Sequence, residues 1–139
     1  MKKVLIIAIA FLSAAVFAAS YKNNTYQKLA DEYTRKAQNA LDAGEYELSI
    51  EYAQKAEENA ALSQAFVKKM LAKSDCDKTM KAASKRIDYA KSINAERNFP
   101  MAYSSAQKSY ASAQTAYDGE DYETAAAFAN QVLEALADI

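Results

Sequence analysis

The chain has 139 residues, 17 basic and 18 acidic, for a net charge of -1, with no histidine, one cysteine, two glycines and one proline. That slight overall acidity disfavours nucleic acid as a partner, and a lone Cys76 without histidine removes the usual ligands of zinc or copper and excludes an intramolecular disulfide. So few breakers in a chain rich in Ala, Glu, Lys, Gln and Leu favour long helices.

Residues 1–20 carry the three parts of a secretory signal peptide in order. Lys2 and Lys3 supply the positive start, and Val4 to Phe17 is an apolar and small-residue run broken by Ser13. Val16 and Ala18 fit a cut after Ala18, and Ala18 and Ser20 fit a cut after Ser20. The run is shorter than the roughly 20 apolar residues of a spanning helix, and no cysteine lies near the cut to be acylated. The expectation is an exported, periplasmic protein without stable membrane insertion after cleavage, and a single all-helical domain over residues 21–139.

Tyr26, Leu29, Ala30, Tyr33, Ala37, Ala40 and Leu41 form a first stripe at helical spacing that stops before Gly44. After Gly44, Tyr46, Ile50, Ala53, Ala56, Ala60, Val67, Met70 and Leu71 form one stripe of a second helix, and Leu48, Tyr52, Leu62 and Phe66 form another. This predicts a hairpin over 22–72 whose second helix packs on two sides.

No Gly or Pro interrupts residues 45–99. A break is nevertheless expected near Ser74 to Asp77, because Ser74 or Asp75 can cap a new helix, Asp77 suits its first turn, and average helices are far shorter than this stretch. The central helix, 75–97, then turns Met80, Ala83, Ile87, Ala90 and Ile93 inward.

Pro100 opens a second hairpin over 100–138, since proline is tolerated in a first helical turn. Tyr103, Ala106, Tyr110, Ala113 and Tyr117 lead to Gly119, and Tyr122, Ala125, Ala126, Ala129, Val132, Leu133 and Leu136 form the final stripe. Gly44 and Gly119 fit glycine C-caps feeding tight turns, which with Pro100 are the structural joints. A shift of 76 residues superposes Ala30 on Ala106, Ala37 on Ala113, Asp42 on Asp118, Tyr46 on Tyr122, Glu47 on Glu123 and Ala53 on Ala129. This predicts a duplicated hairpin with its turn displaced by one residue.

Around their turns the two hairpins resemble tetratricopeptide repeats. Ala37, Leu41, Gly44, Tyr46, Ser49, Ala53 and Ala56 stand where that motif has small, large, glycine and aromatic residues, as do Ala113, Tyr122, Ala125, Ala129 and Val132. The chain departs from the motif in its 76-residue spacing, against about 34, and in lacking a proline to close each unit. From Ala95 to Leu136, the run of Phe99-Pro100, Tyr103, Ala106, Tyr110, Ala113, Gly119, Asp121-Tyr122, Ala125 and Ala129 resembles an uncharacterised family of alanine-rich helical domains in bacterial envelope proteins. Both resemblances imply an all-α fold, and the second implies an envelope location.

Chemistry-bearing positions are few. Ten tyrosines invite a glycan-stacking surface, but most lie on stripes expected to be buried. Eight basic residues between Lys68 and Lys91 face three acidic ones, whereas after Asn98 one basic residue faces six acidic ones. Lys78, Lys81, Lys85 and Arg86 are the candidate partner-binding face, and the alternative is a solvated helix face with Asp77 supporting Lys81. Cys76 is expected to be a half-buried small residue or the site of an intermolecular bridge. Glu45, Glu47, Glu120, Asp121 and Glu123 cluster at helix starts, where the helix dipole accounts for them. No catalytic, cofactor-binding or metal-binding residue is expected.

The sequence therefore predicts an all-α fold of about five helices, with two glycine-turn hairpins joined by a long central segment. It predicts a non-catalytic adaptor or scaffold for an envelope protein. The alternatives are a module that holds peptidoglycan or another anionic polymer, and a periplasmic holdase chaperone.

Overall fold

The computed structural model describes residues 21–139. The expected signal peptide and its expected cleavage sites lie outside the described residues. The fold is all-α, with five helices and no strand among the described residues: α1 (Thr25–Asp42), α2 (Tyr46–Ser92), α3 (Ala95–Asn98), α4 (Pro100–Asp118) and α5 (Tyr122–Ala135). No helix among them is long and apolar enough to cross a membrane. The chain divides into two compact units after Met70, within α2.

In the first unit, Asn24 begins α1 as its N-cap: its Oδ1 accepts from the Gln27 amide at 2.9 Å. The Nδ2 of the same side chain donates to the Tyr21 carbonyl at 2.9 Å and to Ser63 Oγ on α2 at 3.0 Å. At the other end of the seam, Ser49 Oγ donates to the Ala37 carbonyl at 2.9 Å. Both serines are buried, and Ala30, Ala37 and Ala40 line the α1 side. Side chains this small let two helix backbones approach closely, and the serine hydrogen bonds set the register.

The second unit holds the larger core. Ala83, Ile87 and Ala90 of α2 share it with Ala95, Tyr103, Ala106, Ala113, Ala129, Val132 and Leu136. Met80 and Ile93 pack at its margin, so the expected inward stripe of the central segment faces this core. Cys76, Tyr122 and Ala125 form an adjoining cluster.

The expected break near Ser74 to Asp77 does not occur, because α2 runs unbroken through it. Ser74 and Asp75 cap nothing there, and Cys76 is fully buried in the cluster with Tyr122 and Ala125. Regular helical geometry presents Cys76 and Met80, four residues apart, to that cluster, whereas a new N-terminus would orphan amides beside it. The chain breaks instead at Asn94, which is left-handed with φ 55°, a conformation asparagine tolerates better than most residues. The short α3 follows, and Pro100 begins α4 as expected.

The two tight turns are the same turn. Hydrogen bonds from the Ala43, Gly44, Glu45 and Ser49 amides to the Asn39, Leu41, Ala40 and Glu45 carbonyls recur, each 76 residues on, from Gly119, Glu120, Asp121 and Ala125 to Thr115, Tyr117, Ala116 and Asp121. The left-handed residue is Gly44 at φ 77° in one and Glu120 at φ 60° in the other. The turn itself is therefore not displaced; only the glycine is. Gly119 has φ -79°, which any residue adopts.

Candidate functional site

Of the four basic residues singled out from the sequence, three are displayed and one is used internally. Lys78, Lys81 and Lys85 are exposed and share one helical face. Lys78 Nζ lies 3.9 Å from Asp75 Oδ1 with both side chains in solvent, an ion pair of little energetic weight. Arg86 is half-buried and grips the end of α5: Nε and Nη2 donate to the Leu136 carbonyl at 3.1 and 2.8 Å, and Nη2 also donates to the Ile139 carbonyl. Its guanidinium carbon sits 5.0 Å from the Tyr89 ring centroid. A cation over helix-terminal carbonyls both satisfies them and complements the dipole, so Arg86 serves the fold.

Asp77, expected to support Lys81, instead accepts a 2.6 Å hydrogen bond from the Tyr117 hydroxyl. That bond and the nearby carboxylate push the Tyr117 phenol up to about 12. Cys76, beside it in sequence, is more deeply buried than expected, and burial followed by the Asp77 charge raises its thiol. A buried, protonated thiol is a poor nucleophile.

The tyrosines depart from the expectation of burial. Only Tyr103 and Tyr122 are buried; Tyr26, Tyr46 and Tyr89 are exposed and the rest are half-buried. The cores are built largely of alanine, and closely spaced helices leave little room for rings between them. Tyr33 and Tyr52 stack across the first hairpin with centroids 6.0 Å apart. Lys36 Nζ lies 5.4 and 5.8 Å from the two rings, and Lys55 Nζ lies 5.5 Å from Tyr33. Lys36 also pairs with Glu32 at 3.1 Å, and the Glu32 hydrogen bond and charge raise its pKa. Protein groups therefore occupy faces that a sugar ring would need.

Large apolar side chains are exposed in both units, Leu71, Tyr89, Phe99 and Met101 in the second and Tyr26, Tyr46, Ile50 and Leu62 in the first. On α2, Tyr46 and Ile50 are exposed, Ala53, Ala56 and Ala60 are only half-buried, and Leu62 on the opposite flank is exposed too. A shallow depression of about 540 Å³ beside Tyr46 is lined by Gly44, Glu45, Glu47, Leu48 and Glu51. Sequence periodicity marks these positions as apolar but cannot say which of them a third helix covers.

No protein-family model matches the chain, and no solved structure matches it. It is similar to Treponemal membrane protein B of Treponema pallidum (strain Nichols), with 33% identity over 124 residues. That alignment takes in 89% of this chain and 38% of the relative, so the chain spans well under half the length of the protein it matches.

Proposed function

We propose that this protein is a non-catalytic, exported helical adaptor that binds another protein in the cell envelope. The observation that carries this reading is the exposed apolar face of the first hairpin around Tyr46 and Ile50, where two helices joined through alanine and serine leave larger side chains in water. Such a face suits recognition of an amphipathic helix laid along a groove. The signal-peptide pattern of residues 1–20 and the relative's name, a membrane protein, support the envelope location. The likeness of both hairpins to tetratricopeptide repeats supports a binding role, and the likeness of Ala95 to Leu136 to alanine-rich envelope domains supports the location. The test is crosslinking in intact cells followed by capture on residues 21–139. A reproducible envelope partner is expected, and its absence across replicates counts against the reading.

A second reading, attachment to peptidoglycan or another anionic polymer, is favoured by the display of Lys78, Lys81 and Lys85 on one face. It predicts that the protein sediments with isolated cell walls and is released by salt.

A further inference from the structure

Within residues 89–101 three large apolar side chains stand in water: Tyr89 is 47% exposed, Phe99 44% and Met101 87%, the highest value among the exposed large apolar residues. They belong to the end of α2, the junction of α3 with α4, and the first turn of α4, all inside the second unit. A scattered exposed side chain needs no explanation. Phe99 and Met101, however, flank Pro100 at a chain connection and make an apolar tip rather than part of a helical stripe.

Arg97 and Tyr103 bracket that tip in sequence, and both line a depression of about 270 Å³ together with Lys91, Asn94 and Glu96. None of its three charged side chains has an ion-pair partner among the described residues. The Asn94 side chain makes no capping bond. The Tyr103 hydroxyl accepts from Gln107 Nε2 at 2.8 Å, which leaves its own proton to donate. The depression thus offers two cations and two neutral donors to an anion, and one carboxylate to a cation. Over residues 88–101 Lys91 and Arg97 balance Asp88 and Glu96, so this end of the unit does not select a ligand by net charge.

We propose that residues 89–101 seat the protein on a zwitterionic phospholipid bilayer. Phe99 and Met101 enter the acyl boundary, Lys91 and Arg97 meet a head-group phosphate, and Glu96 meets the positive end of the same head group. Tyr89, apolar in body and polar at its tip, suits the interface between the two. A protein partner would have to bring an anion and a cation into one small depression while covering Met101; a single lipid supplies all three. The contact is peripheral, since no helix among the described residues is long and apolar enough to cross a membrane. It stands or falls apart from the adaptor reading, which rests on the first hairpin.

The test is sedimentation of residues 21–139 with vesicles of phosphatidylcholine and phosphatidylethanolamine, at low and at high salt. Equal binding at both salts is expected, because apolar insertion into a neutral surface is not screened. Met101→Ser should weaken binding by about tenfold or more, as loss of one large buried apolar side chain does, and so exposed a position leaves the helical spectrum unchanged. Lys91→Gln with Arg97→Gln should weaken it severalfold. A lipid carrying a nitroxide in its acyl chain should broaden the amide resonances of Phe99 and Met101 and leave those at Gly119, the length of α4 away, sharp. Absence of cosedimentation overturns the proposal, as does binding unchanged by Met101→Ser or broadening centred on Gly119. Binding that requires phosphatidylglycerol and is lost in salt also overturns it, and moves the contact to Lys78, Lys81 and Lys85. If Met101→Ser abolishes capture of a cellular protein while vesicles bind neither form, the tip is a protein contact and the lipid assignment fails.

Discussion

The turn geometry makes a prediction in which two glycines, both read from the sequence as helix C-caps, behave oppositely. Gly44 sits at φ 77°, and a Cβ added there meets nothing within 4 Å, so the only penalty of Gly44→Ala is torsional. Left-handed backbone costs an L-residue about 1–2 kcal/mol, and the smaller unfolded-state entropy of alanine returns about 0.4–1 kcal/mol. The net effect is a loss of about 0.5–1 kcal/mol. Gly119 has an ordinary φ, and its Cβ would lie 3.5 and 3.6 Å from the Ala116 and Thr115 carbonyl oxygens, normal contact distances. Gly119→Ala therefore keeps only the entropic gain and should be neutral or stabilising by about 0.5 kcal/mol. At Glu120, which holds the left-handed position in the second turn, Glu120→Gly relieves the torsion, and the lost interaction of its side chain offsets part of the gain. Urea titration followed at 222 nm measures all three, with changes in midpoint at constant slope. Each shift of about 1 kcal/mol corresponds to about 4–8 °C in Tm for a unit of this size. If Gly119→Ala proves as damaging as Gly44→Ala, the assignment of the left-handed residue is wrong.

Arg86→Ala should cost about 1.5 kcal/mol, since charge-assisted hydrogen bonds to the Leu136 and Ile139 carbonyls are lost; Arg86→Lys should recover only part, lacking the planar fork. Equal stability of Arg86→Ala and the parent would return Arg86 to the surface set. In a spectrophotometric titration at 295 nm, Tyr117 should ionise near pH 12, and Asp77→Asn should bring it down. Because the folded-state pKa lies above the unfolded one, this bond's contribution is complete below about pH 10 and lost as pH rises through about 12. Tyr117→Phe should remove that part of the alkaline sensitivity. Cys76 should react with an aromatic disulfide reagent more than about tenfold slower in the native protein than in urea, given its burial and raised pKa. Fast native labelling would mean that the helix around it opens readily.

The local rules in the sequence were enough for the fold class and for the joints at Gly44 and Pro100, since scarce breakers and apolar spacing act within a turn or two of chain. The inward stripe of Ala83, Ile87 and Ala90 was legible for the same reason. Three features depended on tertiary contacts. Ser74 and Asp75 have the chemistry of caps, yet the burial of Cys76 against α5 holds the helix straight through them. The register of the second turn follows the duplicated hydrogen-bond pattern, so Glu120 takes the left-handed position although a glycine stands next to it. The basic face lost Arg86 to the end of α5, fifty residues away in sequence, a pairing that no local spacing encodes.

The exposure of tyrosines was likewise a tertiary matter. Tyr46 and Tyr122 occupy the same position of the same motif, each followed by a glutamate and, seven residues on, by an alanine, so spacing treats them alike. One is roofed by a third helix and the other is not. Spacing determines which side chains share a face, but only the packing of distant segments determines whether that face meets protein or water.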